Sequence, residues 1–433
     1  MTADHTDAPA PVDEARRKPS LRVRVVVVLT SLVVGLLIFE IFLRAVGYTY
    51  PIFYEPDTSR GYRLQPGREG WQTKEGRAYV RVNSAGLRDR EHAKEKPPGT
   101  LRVAVLGDSY SEAAQVEQEE AFWAVMERRL RECPALSGRA VEVINFGVSG
   151  YGTAQELITL REQVWAYSPD VVLLAVTTNN DQIDNARALK DSDEMPYFVL
   201  RGDELVLDDS FRDAAAFRRR TAWHGRLGRW LHARLRFVQA VHHAQTAVKS
   251  KLAARRARLA AEEDERRRRD APPPARTDGA AAAQEAPTAA EPDPANMVFL
   301  EPRNDTWREA WRVTERLIVE MRREVEARGA RFVVATLSTP IQVYPDPSLR
   351  AAFMRRIGAE GDLFYPDRRV ASLGEREGVS VVTLAPELQA HADAHKVFLH
   401  GFPGDLGNGH WNADGHRLAG ELLSEKLCGL LVK

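Results

Sequence analysis

The chain has 433 residues, of which 44% are hydrophobic and 28% charged, and its formal net charge is +0. This length suits one α/β domain of ordinary size with extensions. The balanced charge excludes a nucleic-acid partner recognised through bulk electrostatics. With two cysteines, Cys133 and Cys428, and no zinc-like Cys/His spacing, the sequence predicts no metal and no other cofactor.

The chain opens with a polar segment, residues 1–22, followed by an apolar segment, residues 23–46. A helix over 25–46 would be about 33 Å long, which matches the hydrocarbon thickness of a membrane. We predict an uncleaved transmembrane anchor, since no Ala-x-Ala site follows; a cleavable signal peptide is the alternative. Near its far end, Glu40 and Arg44 are spaced to pair on one helix face.

Charge around the anchor predicts its orientation. Five basic residues precede the apolar run that begins at Val25, whereas Arg44 alone lies at its far end; the five are Arg16, Arg17, Lys18, Arg22 and Arg24. The positive-inside bias therefore places the N-terminus in the cytoplasm and the rest of the chain outside. We expect a single-pass protein of a bacterial inner membrane with a periplasmic domain.

Beyond the anchor, residues 47–100 predict small β-hairpins packed on the main domain. The alternation of strands and helices typical of a parallel sheet occupies residues 101–185 and 301–433. Between these parts, residues 186–300 form an insertion with a hairpin at 197–207 turning at Gly202, a helical stretch at 211–269, and a Pro/Ala-rich stretch at 270–296 that we expect to be disordered. The predicted sheet strands are 102–106, 141–145, 171–176, 331–337 and 379–384.

The helix before the fourth sheet strand has the clearest pattern in the chain. Apolar residues repeat at three- and four-residue spacing from Trp307 to Val325, which predicts a core-facing stripe. We expect Asp305 to cap its start and Gly329 to end it.

Four polar blocks follow strand-like runs or open a helix. Gly107, Asp108 and Ser109 end the first run, and residues 145–152, with Ser149 and Gly150, follow the second. Residues 177–181 follow the third run, and residues 410–416 open the last helix. Open α/β sheets place their chemistry at the carboxyl ends of the strands, so we expect the blocks to meet there.

The ordered serine, glycine, asparagine and histidine of these blocks resemble the SGNH hydrolase superfamily, also called GDSL-type lipases and esterases. Residues 61–67 and 83–89 resemble the leader found before the first block in its membrane-anchored members. The resemblance implies a flavodoxin-like, doubly wound parallel sheet of five strands.

By this resemblance, Ser109 is the nucleophile and His410 is its base. The Ser109 N–H, Gly150 and Asn180 form the oxyanion hole, with Asn180 rather than Asn179 fitting the family's pattern. A serine needs both a base and donors aimed at the oxyanion. His416 is expected to be structural.

The sequence departs from the family at the residue that orients the base. Relatives carry an aspartate two or three residues before it, where this chain has Asn408 and Gly407. Asp405 is the nearest upstream carboxylate and our candidate, if the loop 404–409 bulges. A backbone carbonyl or Asn408 is the alternative, which would leave a Ser–His dyad.

The resemblance implies a serine esterase that cleaves an ester, such as an O-acetyl group on a cell-surface glycan. An O-acyltransferase acting on extracytoplasmic polysaccharide is the alternative, because a sugar hydroxyl can replace water in capturing the acyl-enzyme. A non-catalytic glycan-binding or scaffold protein is a second alternative, supported by the missing aspartate.

The two cysteines form the remaining prediction. Cys133 follows the first helix of the sheet domain and Cys428 lies in the final helix. In a flavodoxin-like sheet these helices are neighbours on one face, so we favour a disulfide outside the cytoplasm. Two separate buried thiols are the alternative.

Overall fold

The computed structural model describes residues 20–136, 138–270 and 294–432. Its strands are β1 (Tyr54–Asp57), β2 (Gly61–Leu64), β3 (Glu69–Gln72), β4 (Ala78–Arg81), β5 (Thr100–Gly107), β6 (Ala140–Asn145), β7 (Val171–Thr177), β8 (Tyr197–Arg201), β9 (Glu204–Asp208), β10 (Arg331–Leu337) and β11 (Ser380–Thr383). Its α-helices are α1 (Leu21–Ala45), α2 (Ser109–Glu112), α3 (Phe122–Leu130), α4 (Thr153–Glu162), α5 (Asp181–Asp184), α6 (Arg187–Lys190), α7 (Ala215–Thr221), α8 (Trp223–Arg234), α9 (Arg236–Asp270), α10 (Asp305–Ala327), α11 (Pro347–Ile357), α12 (Tyr365–Glu377), α13 (Ala385–His395) and α14 (Ala413–Val432).

A five-stranded parallel sheet lies at the centre, in the order β11-β10-β7-β5-β6. This is the doubly wound, flavodoxin-like order, and each of the five predicted sheet strands lies within two residues of its expected bounds. Every residue of β5 and β7 is buried because helices cover both faces of the sheet. The predicted fold class is therefore confirmed.

Helices α4, α10 and α12 pack on one face of the sheet, and α3, α13 and α14 on the other. The apolar stripe of α10 is buried as predicted, with Trp307 and Trp311 in the core. Its cap differs from the prediction: the Asn304 side chain accepts the N–H of Trp307, while Asp305 is the first helical residue. Asn304 lies one residue earlier, where an Ncap side chain reaches the third helical N–H.

Helices α3 and α14 are neighbours, and a disulfide joins Cys133 to Cys428 across them. The predicted pairing is confirmed. The bridge closes a loop of 295 residues and ties the last helix to the first part of the sheet domain.

We expect the denatured, non-reduced chain to show no free thiols on labelling, and two after reduction. Because the closed loop is so long, Cys428→Ala should lower the free energy of unfolding by about 4–5 kcal/mol. Reduced wild type should match the variant in urea unfolding, which serves as the control. Two free thiols per non-reduced chain would contradict the bridge.

The segment before the sheet contains two hairpins, β1–β2 and β3–β4, as predicted. Its later part is bound to the sheet domain through two buried side chains. Arg88 donates to the carbonyls of Glu112 and Val116, and Asp89 accepts the N–H of Asn145. The leader is therefore held against the segment after the first polar block and the start of the second block.

The chain divides into two compact units, one of residues 51–230 with 260–433 and the other of residues 1–50 with 231–259. In the second unit, α1 is long and apolar enough to cross a membrane, and a signal sequence would have the same character. The Glu40–Arg44 pair is confirmed at 2.7 Å, and Glu40 also accepts the Phe237 N–H at the start of α9.

The insertion begins with the predicted hairpin, β8–β9, which turns at Gly202 with φ +64°. Helices α7, α8 and α9 occupy the stretch predicted to be helical. Of the segment 270–296, for which we predicted disorder, residues 271–293 lie outside the described residues.

Candidate active site

Ser109 lies directly after the interior strand β5, at the first position of the short helix α2. The Asp108 side chain caps this turn by accepting the N–H of Tyr110 at 3.0 Å. Because the first N–H of a helix has no partner within it, the Ser109 N–H is left to face a ligand. The strand end thus presents both a hydroxyl and a backbone donor.

His410 lies in the loop before α14, and its ring reaches the serine. The distance from His410 Nε2 to Ser109 Oγ is 2.8 Å, which is a hydrogen bond across 301 positions of sequence. The ring also packs against Tyr110, with centroids 5.1 Å apart. The predicted nucleophile and base are therefore brought together.

A carboxylate holds the other ring nitrogen, and it is Glu75. Its Oε2 lies 2.7 Å from His410 Nδ1 and also accepts the His410 backbone N–H at 3.1 Å. The hydrogen bond from His410 lowers the pKa of Glu75, while partial burial opposes this shift. Glu75 therefore favours the tautomer with its proton on Nδ1, in which Nε2 can accept from the serine.

Two glycines let Glu75 approach. A Cβ at Gly76 would lie 2.0 Å from the Gln115 carbonyl oxygen, so a side chain there would push the β3–β4 loop away from the domain. A Cβ at Gly409 would lie 2.8 Å from Glu75 Oε2, and Gly409 has φ +67°. Any larger residue at either position would separate the carboxylate from the imidazole.

Our candidate for the orienting residue, Asp405, is wrong. Its carboxylate accepts the side-chain amide of Asn408 at 2.7 Å, so these two residues satisfy each other within the exposed loop. The backbone-carbonyl and Asn408 alternatives are replaced as well, because Glu75 occupies Nδ1. No spacing in the sequence points to Glu75, which is 335 positions from His410 and lies in the β3–β4 loop.

The second block is fastened to the first along the strand ends. Val148 N–H donates to the Gly107 carbonyl at 3.1 Å, and Ser149 N–H donates to Glu112 Oε2 at 2.7 Å. Gly150 follows with φ +79°, a backbone conformation that favours glycine. Its N–H has no acceptor among the described residues, so this donor is also available to a ligand.

Asn180 reaches the first block from the end of β7. Its side-chain amide donates to Asp108 Oδ2 at 2.8 Å, and Thr177 donates to Oδ1 of the same carboxylate at 2.9 Å. Asp108 is fully buried, which raises its pKa, while these hydrogen bonds lower it. Asp108 therefore orients Asn180, and the second amide hydrogen is free. Asn180 makes this contact, and its role as an oxyanion donor stays a prediction.

Sequence reasoning missed a second histidine, His400, which is buried beside the site. Its Nδ1 donates to the Gly409 carbonyl at 3.0 Å, and its Nε2 lies 3.1 Å from Ser338 Oγ. Ser338 in turn accepts the indole N–H of Trp411 at 2.9 Å. This series of hydrogen bonds holds Gly409 and Trp411, the residues on both sides of His410. A lone histidine before a glycine-rich loop gives no signal of such a role.

We expect His400 to make the protein acid-sensitive. Burial lowers its pKa to about 3, so between pH 6.5 and 3 the unfolded chain binds a proton that the folded chain does not. The free energy of unfolding should then fall by up to about 1.4 kcal/mol per pH unit on acidification through this range.

The measurement is urea unfolding of wild type and His400→Gln at pH 7 and pH 5. The variant should lose less stability than wild type between the two values. His416, which is also buried and has a lowered pKa, is present in both proteins and cancels in the comparison. Equal losses in the two proteins would contradict the assignment.

No family model and no curated protein matches this sequence, but solved structures do. They include the acetyl xylan esterase AlAXEase, at 11% identity and a TM-score of 0.36, covering 76% of this chain and 100% of that one. A catalytic mutant of Axe2, an acetylxylan esterase from Geobacillus stearothermophilus, has 10% identity and a TM-score of 0.36, with coverage of 77% and 96%. A putative lipolytic protein of the G-D-S-L family from Desulfitobacterium hafniense has 12% identity and a TM-score of 0.32, with coverage of 75% and 98%.

These similarities are too distant to assign a reaction. The fold is shown by this chain's own topology: a flavodoxin-like strand order, a serine at the end of an interior strand, and a histidine before the last helix. The chain has the SGNH-hydrolase type of fold.

Proposed function

We propose that this chain is a membrane-anchored serine esterase that cleaves an acyl ester through an acyl-enzyme on Ser109. The observation that carries the proposal is the continuous contact from Glu75 through His410 to Ser109, at 2.7 Å and 2.8 Å. Three groups in this order are what a serine needs to become a nucleophile at neutral pH.

In the first step the Ser109 oxygen attacks the ester carbonyl carbon and its proton passes to His410 Nε2. The imidazolium that forms keeps its Nδ1 proton and donates a hydrogen bond through it to the Glu75 carboxylate. The negative charge of Glu75 stabilises the imidazolium. His410 then gives the proton to the departing alcohol as the tetrahedral intermediate collapses. Glu75 is a positioning residue, because it acts on the substrate only through the imidazole.

The oxyanion of the intermediate would be met by the N–H groups of Ser109 and Gly150 and by the free amide hydrogen of Asn180. Each of these donors is held in place before substrate arrives. The Asp108 cap of α2 holds the Ser109 N–H, the hydrogen bond from Ser149 to Glu112 holds the backbone before Gly150, and Asp108 holds the Asn180 amide. Donors held in place cost no reorganisation when charge develops, which is why they act on the transition state.

The acyl-enzyme is resolved when His410 takes a proton from an acceptor hydroxyl that attacks the same carbonyl. The bond from the acyl carbon to Ser109 Oγ then breaks, and His410 returns the proton to that oxygen. Water gives hydrolysis and a sugar hydroxyl gives O-acyl transfer. We propose hydrolysis, with an O-acetyl group on a cell-surface glycan as the substrate. The contact between Glu75 and His410 supports a catalytic protein over a non-catalytic one, because it supplies the orienting carboxylate that the sequence before His410 lacks.

The test is product analysis with 4-nitrophenyl acetate in the presence and absence of an oligosaccharide acceptor. We expect free acetate in a one-to-one ratio with nitrophenol under both conditions. Acetylated oligosaccharide at the expense of acetate would identify a transferase instead. Release of nitrophenol no faster than in buffer would contradict an enzyme of either kind.

For the location we propose a single pass through a bacterial inner membrane, with the catalytic domain in the periplasm. The support is the apolar helix α1 together with the excess of basic residues before it. A reporter that is active only in the cytoplasm should be active when it is fused at residue 15. A reporter that is active only in the periplasm should be active when it is fused at the C-terminus. The reverse pattern, or cleavage after α1, would contradict the anchor.

A further inference from the structure

A cleft of about 720 Å³ lies beside the second polar block, and Ser149 and Gly150 form part of its wall. The rest of the wall comes from outside the sheet: residues around the β1–β2 hairpin on one side, and the α7–α8 segment of the insertion on the other. Gly150 is a proposed oxyanion donor, so a substrate that reaches from Ser109 past Gly150 would enter this cleft.

One side of the cleft is apolar and rigid. It is formed by Ile52, Tyr54, Pro56 and Tyr62. The two tyrosine hydroxyls are directed elsewhere: Tyr54 donates to Glu112, and Tyr62 donates to the Ser149 carbonyl. The rings pack edge to face, with centroids 5.8 Å apart. Aromatic carbon, rather than hydroxyl, therefore faces a ligand, as in sites that hold a sugar ring or a hydrocarbon chain.

The opposite side is cationic, with Arg219, Arg220 and Arg229 on α7 and α8. The acids nearby are already paired, Glu194 with Arg220 at 2.7 Å and Glu55 with Arg63 at 2.9 Å. Among the described residues, neither Arg219 nor Arg229 has a carboxylate within ion-pair distance. Burial and the neighbouring guanidinium groups lower the pKa of Arg229, against the attraction of Glu55.

We propose that this cleft binds the part of the substrate next to the ester, and that this part is an apolar ring or chain bearing a carboxylate or phosphate group. The apolar body lies against the tyrosine side, and the anion meets Arg219 and Arg229. An anion in that position supplies the countercharge that the arginines lack. The link between the cleft and catalysis rests on the proposed function. Binding of an anion in the cleft does not depend on that function.

Binding is measured on the full-length Ser109→Ala chain in nanodiscs, so that turnover plays no part. The probes are naphthalene-2-carboxylate, 2-naphthyl phosphate, the neutral naphthalene-2-carboxamide, and acetate. We expect at least one naphthyl anion to bind about tenfold more tightly than the amide and than acetate. The stronger of the two anions identifies whether the natural group is a carboxylate or a phosphate. Equal affinity for the anions and the amide would overturn the proposal.

Arg219→Glu is the variant that tests the cationic side, because Arg219 is exposed on α7 and its replacement leaves the core unchanged. It should weaken the preferred anion about tenfold and leave the amide unaffected. The matched control is Arg218→Glu, an exposed neighbour on the same helix that does not line the cleft. Equal losses in both variants would mean long-range attraction only, and would overturn the site.

Kinetics separate this proposal from the proposed function. Wild type should hydrolyse an acetate ester of a hydroxybenzoate with a lower KM than the ester of the matching hydroxybenzamide. Hydrolysis of both esters with equal KM overturns the cleft assignment and leaves the esterase intact. Tight binding of the anions with no hydrolysis of any ester overturns the esterase and leaves the cleft.

Discussion

Replacing Ser109 with alanine is expected to lower kcat for a short-chain aryl ester by about 10⁴-fold or more. The Ser109 hydroxyl donates its hydrogen bond to His410, and its oxygen forms the acyl bond. Without this oxygen, catalysis rests only on the oxyanion donors and on substrate binding. Initial rates of nitrophenol release at saturating substrate measure the effect, and near-ultraviolet circular dichroism verifies that the fold is retained.

Ser111→Ala is the matched control, since Ser111 lies two positions along the same turn. It is buried, its hydroxyl has no hydrogen-bond partner among the described residues, and its backbone carbonyl still accepts the Trp123 indole. Its activity should stay within about threefold of wild type, as for a change that touches no reacting atom. Retention of more than about a tenth of wild-type turnover by Ser109→Ala would exclude Ser109 as the nucleophile.

Glu75→Gln is expected to lower kcat by about 10²–10⁴-fold with little change in KM. An amide keeps the size of the side chain but removes the charge that holds the Nδ1 proton and stabilises the imidazolium. The lower end of this range reflects the partial exposure of the pair, with 23% of the His410 side chain and 30% of the Glu75 side chain accessible. Asp405→Asn is the control and should be within about twofold of wild type.

The pH dependence of the same pair of proteins gives a second measurement. Because the pKa of Glu75 lies below its ordinary 4.5 in the folded protein, its carboxylate stays charged throughout the neutral and mildly acidic range. What Glu75 contributes is thus fully present above 4.5 and is lost as pH falls through its lowered pKa. The full ratio of wild-type to Glu75→Gln rates should therefore be reached by pH 8 and stay constant above it. A large loss of kcat in Asp405→Asn, or no loss of kcat in Glu75→Gln, would show that Glu75 does not orient His410 and that a residue of the loop before His410 does.

Several parts of this protein could be predicted because their signals are local. The strands β5 and β7 are continuous apolar runs, and a run buried on both sides gives that pattern wherever it lies in the chain. The turn after β5 follows from a capping aspartate and a serine at consecutive positions. The disulfide followed from the fold class, since that class places α3 and α14 side by side.

The amphipathic helix α10 shows the limit of local prediction at its first residue. The stripe of buried side chains determines where the helix runs, but two adjacent polar residues, Asn304 and Asp305, could each cap it. The choice depends on where the backbone leaves the helical conformation, which the preceding contacts determine.

By itself the sequence determined the sheet, its helices, the serine and histidine blocks and the apolar N-terminal helix, because each is written in neighbouring residues. Tertiary structure alone decided that Glu75 orients His410, that His400 holds its loop, and that a hairpin and an insertion helix enclose a cleft beside Gly150. Glu75 and His410 are 335 positions apart, and no periodicity in the sequence predicts any of these contacts. They form only when the packed domain brings the loops together, with glycines at 76 and 409 leaving room for the approach.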